Sequence, residues 1–283
     1  MSRAPLALIS LLVLAACAPD RLEQAALATP EAAAPALVPP EPPPTWSEAD
    51  SQVEVSLHID TAVEAHPRLY ARLRDEGRAR LETFARESRA FRAADPVARD
   101  RAPYSMQIGW EEPVETLRLL SLQGSDWFYS GGAHGNPSVA ALLWDKAAQR
   151  VLAPAALFRT GADLTVLDRA LCDAVNTAKV ARSNVDGART VWSPARPKGQ
   201  LDPNSWNCPG ALDIPFSLAP GTVAGKAGGL IFLIGPYIVG PYAEGGYSVV
   251  VPLDAFAALL SPDWTDQFAD APTAETLRLY RAG

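Results

Sequence analysis

Three histidines, His58, His66 and His134, make up the whole imidazole complement of this 283-residue chain. Only His134 has neighbours that could serve chemistry. It lies in the run Tyr129-Ser130-Gly131-Gly132-Ala133-His134-Gly135-Asn136. The glycines strip side-chain cover from the imidazole and allow positive φ, so the backbone can turn tightly or approach a partner closely. Asn136 can hydrogen-bond its own turn. His134 then has two uses. It can act as a hydrogen bonder on a ligand-facing hairpin, or it can cap nearby carbonyls and pack against Tyr129. A hydrolase or deacetylase-like site around His134, Asp126 and Tyr129 would need a metal or an activated nucleophile, and the sequence identifies neither. There is no Gly-x-Ser-x-Gly elbow, no His-Glu-x-x-His and no phosphate-cradling glycine loop. No histidine stands at ligand spacing from a second histidine or a cysteine, as a zinc site with about four donors would need. The sequence therefore implies no cofactor and no metal, and favours a non-enzymatic protein.

A second cluster of interest is Pro236-Tyr237 and Pro241-Tyr242. Tyrosine rings stack on the apolar faces of sugars, so Tyr237 and Tyr242 are candidate ligand-binding residues beside His134, Tyr129 and Asn136. Their ordinary use is to fill core and turn. The cysteines divide by position. Cys17 ends an apolar run, whereas Cys172 and Cys208 form an even pair that an oxidising compartment would join. That bridge would close a loop of 36 residues, for which loop-closure entropy predicts about 3–4 kcal/mol.

Cys17 carries the clearest chemical signal. Arg3 precedes thirteen mostly apolar residues, Ala4 to Ala16. A positive start, an apolar stretch and small residues at the cut are the layout of an export signal. The stretch is shorter than the roughly 20 apolar residues a bilayer demands. Leu14-Ala15-Ala16-Cys17 is what a lipoprotein peptidase accepts. Residues 1–16 are thus expected to be a removed signal peptide, with Cys17 acylated (diacylglycerol, palmitate) as the membrane anchor. Ala18 supplies no aspartate that would retain the lipoprotein at an inner membrane. The expected place is therefore the outer membrane, facing the periplasm.

Residues 18–45 hold eight prolines and many alanines. They are expected to be extended and to hold a folded body away from the lipid. Formal charge is −7 with 25 basic and 32 acidic residues, and removing Arg3 takes the mature form to −8. An acidic body argues against nucleic acid as a partner, because phosphate binding needs a basic surface.

The elements that must position these residues follow from periodicity. Val53, Val55, Leu57 and Ile59 alternate as a half-buried strand. Glu64 to Arg92 predicts a helix, with Leu69, Leu73, Leu81, Phe84 and Phe91 near one face and i,i+4 pairs Glu76–Arg80 and Glu82–Arg86. Tyr104 to Trp110, Glu115 to Leu122, Trp127 to Ser130 and Ser138 to Trp144 predict strands, punctuated at Gly124-Ser125 and Gly131-Gly132. Ala162 to Val180 predicts a second helix. Residues 183–212 suggest a long loop pinned by the bridge. Leu230 to Ile234 and Gly246 to Val251 predict further strands, and a short helix is expected over Pro252 to Leu260. The mixture lacks a βαβ rhythm, so the fold class is α+β, with helices packed on antiparallel sheets.

Two segments also resemble a known envelope domain family. Tyr129 to Asn136 resembles its Tyr-x-Gly-Gly-Ala-His-Gly signature. Phe232 to Gly245 resembles its second hallmark, an apolar strand followed by Pro-Tyr and then Tyr-Ala-x-Gly. This family includes the extracellular part of the lysozyme-sensing anti-sigma factor RsiV and the N-terminal region of the peptidoglycan deacetylase PdaC. The resemblance spans roughly residues 50 to 262. It implies two abutting α+β subdomains, the second a helix on a sheet, and a module that binds or senses peptidoglycan or a lysozyme-like protein. The expected organisation is 1–16 signal peptide, 17–47 linker, 48–152 and 153–262 subdomains, and 263–283 tail.

Overall fold

The computed structural model describes residues 44–99, 101–183, 190–193, 199–202 and 205–281. The segment expected to be a signal peptide, Cys17 and most of the expected linker lie outside the described residues. Strand β1 (Trp46–Ala49) begins just inside the stretch read as linker and pairs antiparallel with β2 (Val53–Ile59). Val53, Val55, Leu57 and Ile59 all point inward and are buried, as the two-residue period of a strand dictates. Asp60 accepts a hydrogen bond from Ala62 N at 2.8 Å and caps a 3-10 turn. Helix α1 (Pro67–Ala94) follows, with proline at its start, where a missing N–H breaks no helical bond.

The buried stripe of α1 is Leu69, Leu73, Gly77, Leu81, Ala85, Ser88 and Arg92. These steps of three and four keep one helical face on the sheet. A Cβ at Gly77 would come within 2.8 Å of a Leu57 methyl, so the helix presses close on β2 there. Phe91, expected on the buried face, is exposed and stacks on Tyr104. Arg92 takes the buried place instead. The expected pairs Glu76–Arg80 and Glu82–Arg86 do not form. Arg72 reaches Glu76 at 2.9 Å and Arg78 reaches Glu82 at 3.0 Å, so each carboxylate is engaged from its N-terminal side. Arg80 crosses to Asp126, and Arg86 donates to Thr83.

After the short helix α2 (Pro96–Arg99), β3 (Tyr104–Glu115) runs parallel to β2, because α1 carries the chain back to the start of the sheet. Then β4 (Leu119–Tyr129), β5 (Asn136–Asp145) and β6 (Arg150–Leu152) add antiparallel, giving a six-stranded sheet in chain order. Glu115 to Leu122 and Trp127 to Ser130 were expected as separate strands. In the fold, β3 runs on through Glu115, and β4 continues unbroken from Leu119 through Gly124-Ser125 to Tyr129. Gly124 marks no turn. A Cβ there would meet the Trp110 ring at 2.9 Å and Ala140 Cβ at 3.0 Å, so the glycine makes room for its cross-strand neighbours.

Helix α3 (Thr165–Ser183) buries Leu167, Leu171, Val175 and Ala178. The expected loop 183–212 contains, among the described residues, a small sheet in the order β7 (Thr190–Val191), β9 (Ser205–Asn207), β8 (Gly199–Asp202). Cys172 on α3 is disulfide-bonded to Cys208, with Cα atoms 5.6 Å apart. A third sheet holds β10 (Phe216–Pro220), β11 (Ala227–Ile234) and β12 (Tyr247–Pro252), all antiparallel. Two 3-10 turns replace the short helix expected over 252–260.

From Pro42 onward the chain is one compact unit, and its class is α+β. The six-stranded sheet serves two cores. One face, with Leu120, Leu122, Leu142 and Trp144, packs with α1. The other face carries Leu119 and Leu143 into a larger core with α3 and the β10–β12 sheet. Leu218 N donates to Ser121 Oγ at 3.0 Å across that interface. The segment past 262 is integral to this core. Trp264 and Phe268 are buried in it, and helix α4 (Ala274–Leu279) follows. Gln267 Oε1 accepts from Thr116 Oγ1 and from Arg118 N, both at 2.8 Å, tying the tail to the β3–β4 connection.

Candidate functional site

The two glycine- and tyrosine-rich segments, about a hundred residues apart in sequence, meet in space. The first is the β4–β5 turn. Gly131 and Gly132 take φ of +91° and +104°, which an L side chain resists, so the chain reverses there. The second is the β11–β12 loop. Buried Val239 anchors it to the larger core, and a 3-10 turn over Tyr242–Glu244 leads into β12.

The contacts between them are direct. The His134 and Tyr242 rings stack with centroids 4.2 Å apart and 24° between planes. Tyr242 OH donates to Gly135 O at 2.8 Å. Tyr237 lies against Tyr242 at 5.5 Å. Gly135 is pressed on the Trp127 ring, where an added Cβ would come within 2.3 Å. Trp127 in turn stacks near Tyr129 at 6.5 Å. His134 therefore packs on Tyr242 and not on Tyr129, as one expectation had it. Its Nδ1 lies 2.9 Å from Gly135 O, while Tyr129 OH donates to Gly132 O at 3.3 Å. Asn136 is exposed at the start of β5, opposite Phe128. Within this turn the Gly132 carbonyl is met by Tyr129 and the Gly135 carbonyl by His134.

The structure does not bring Asp126 to His134. Successive residues of a strand point to opposite faces. Trp127 and Tyr129 share the face of Leu119, whereas Asp126 shares that of Leu120 and Leu122 and pairs with Arg80 of α1. A site combining His134, Asp126 and Tyr129 is thus split across the sheet. Among the described residues, no group of three or more His, Cys, Asp and Glu is placed to hold a metal ion. No described helix is long and apolar enough to cross a membrane.

Two basic residues that hold the site, Arg182 and Lys179, escape sequence inspection. Arg182, near the end of α3, donates to Glu244 O at 2.6 Å and Gly246 O at 3.0 Å, and lies 3.9 Å over the Tyr247 ring. Lys179, one helical turn earlier, reaches Glu244 Oε2 at 3.1 Å. Glu244 Oε2 also accepts from Tyr247 OH at 2.9 Å. Helix α3 thereby fixes the turn that carries Tyr242. Nothing local in the sequence couples 179–182 to 242–247. Trp127 differs, because strict alternation from Tyr129 places both rings on one face.

Burial pushes the Tyr247 phenol up to about 12, and the Glu244 carboxylate adds to the shift. The unfolded phenol ionises near pH 10. Folding therefore holds this proton more tightly, and its share of stability is complete below about pH 10 and lost as pH rises through about 12. Denaturant midpoints measured from pH 9 to 12 should fall for the parent. Tyr247→Phe should flatten that fall, and equal slopes in the two proteins would refute this assignment.

No protein-family profile and no curated protein sequence matches the chain. Solved structures do. A DUF3298 family protein from Pseudomonas aeruginosa PAO1 aligns over 80% of this chain and 90% of its own, at 16% identity and a TM-score of 0.45. A DUF3298 member from Bacteroides fragilis aligns over 76% and 87%, at 16% identity and 0.47. The structural neighbours are thus DUF3298 family proteins, and likeness at this level says nothing about what this chain binds.

Proposed function

We propose that this chain is a lipid-anchored, extracytoplasmic recognition module that binds wall-related material, either peptidoglycan or a lysozyme-like protein, without transforming it. The observation that carries the reading is the junction itself. Two separated segments converge to display His134, Tyr237 and Trp127 at the surface instead of sealing them in a core. Singly scattered exposed rings are ordinary, but rings gathered from two separate segments into one patch mark a contact surface. The Leu14-Ala15-Ala16-Cys17 cut site and the Pro/Ala-rich segment support the address. The Cys172–Cys208 bridge fits an oxidising compartment. The two motifs also resemble those shared by the extracellular part of RsiV and the N-terminal region of PdaC, which supports a wall-related ligand.

Two measurements test this. The purified chain should co-sediment with isolated sacculi or be captured by immobilised lysozyme, and enrichment with neither would defeat the proposal. In cells, Cys17→Ser should release the chain from the membrane fraction. Unchanged membrane association of that variant would remove the anchor from the scheme.

A further inference from the structure

We infer that the junction between the β4–β5 turn and the β11–β12 loop is a saccharide platform. The rings of Tyr237, Tyr242 and Trp127 take the apolar face of a neutral pyranose, and His134 meets its hydroxyl edge. This rests on the recognition reading above and narrows it to one class of ligand.

Exposure is the first ground. Tyr237 is 58% exposed and Trp127 is 37% exposed, and His134 lies at the surface. The rings form one connected surface, linked through Tyr242 and Gly135 by the contacts given above. Flat aromatic surfaces of this kind match the C–H face of a sugar ring.

Unspent hydrogen-bonding capacity is the second. Among the described residues, the Tyr237 hydroxyl, Trp127 Nε1 and His134 Nε2 have no partner. His134 Nδ1 faces the Gly135 carbonyl, an acceptor, so Nδ1 is the donor there and Nε2 is left for a ligand. The spare groups are thus a phenol hydroxyl, an indole N–H and one imidazole nitrogen. The charged groups beside them are engaged: Glu244 by Lys179 and Tyr247, and Arg182 by backbone carbonyls. A ligand that joins an apolar face to a rim of hydroxyls fits this set.

Backbone conformation is the third. Tyr237 has φ of +66°, in the left-handed region where its Cβ is crowded. An exposed ring contributes little to folding, so fold stability alone gives no reason to keep a tyrosine there. Strain of this kind collects at ligand-binding positions.

The test titrates the purified whole chain with an oligomer of N-acetylglucosamine by calorimetry, beside the sacculus and lysozyme captures. The parent should bind saturably. Tyr237→Gly should weaken binding about tenfold or more yet melt no lower than the parent, because glycine adopts positive φ freely. Should it melt early, Tyr237→Asn, which also tolerates that region, takes its place, and His134→Ala supplies an independent loss of affinity. Sacculi retained without oligomer binding, or oligomer binding that survives in these variants, would overturn the platform and leave the recognition module standing. Lysozyme capture through the same residues without sugar binding would assign the surface to a protein and equally overturn it. Silence in all three assays would overturn both.

Discussion

Arg92→Ala should lower the free energy of unfolding by about 3–5 kcal/mol, among the largest losses any single side chain of this protein can produce. Arg92 is fully buried at the end of α1. Its Nε donates to Gln52 Oε1 at 3.0 Å, Nη1 to Ala102 O at 2.8 Å and Nη2 to Arg101 O at 2.8 Å, and its guanidinium lies 4.9 Å over the Tyr104 ring. One planar group thus binds the β1–β2 turn, the return segment and the first residue of β3. Truncation leaves several acceptors without their donor in a closed site and opens a cavity besides, so desolvation and lost packing add. In a domain of this size the loss corresponds to a melting shift of roughly 10 °C. Arg92→Lys keeps the charge but lacks the fork, so it should recover only part. Urea unfolding that places Arg92→Ala within about 1 kcal/mol of the parent would refute this account.

The second large effect concerns the bridge. Replacing both Cys172 and Cys208 by serine should cost about 3–4 kcal/mol, since the covalent link removes the freedom of a 36-residue loop from the unfolded chain. The loss should fall unevenly. Beyond the bridge, the β7 segment is held to α3 by Asn176, whose Oδ1 accepts from Thr190 N at 2.9 Å and whose Nδ2 donates to Thr190 O at 3.1 Å. Arg169 adds a contact over Trp192 at 5.4 Å. Amides of β7 and β9 should therefore exchange early in the serine variant, while those of β2 to β4 keep their protection. Uniform loss of protection across all sheets would contradict this picture, as would a variant that unfolds at the parent's denaturant concentration.

Much of the architecture was legible because it rests on local periodicity. The inward residues of β2 and the buried stripe of α3 follow from steps of two and of three and four, and the turn before β5 from the Gly131-Gly132 pair. The even pair of cysteines announced the bridge. Sequence reasoning failed where a distant partner decides a residue's environment. Gly124 reads as a turn until Trp110 and Ala140 are seen beside it. Phe91 and Arg92 exchange places because carbonyls of the return segment can saturate a guanidinium, which no hydrophobicity pattern encodes. The residues past 262 look like a loose tail until Gln267 meets Thr116. At the candidate site, His134, Tyr237 and Tyr242 were each recognisable by type. Their convergence was not, because it depends on how the β10–β12 sheet crosses β4 and β5.

The bond between Gln267 and Thr116 spans 151 positions of the chain, and this has a bearing on biogenesis. A polypeptide that emerges N-terminus first, from a ribosome or a translocation pore, cannot close the larger core until residues 264–268 are free. Until then Leu119, Leu143 and the inner face of β11 lack Trp264 and Phe268 as cover. Contacts of such long range slow folding, and a half-emerged chain with open apolar surface is prone to stick to its neighbours. The nascent protein is accordingly a natural client for holding chaperones until residues 264–268 have emerged.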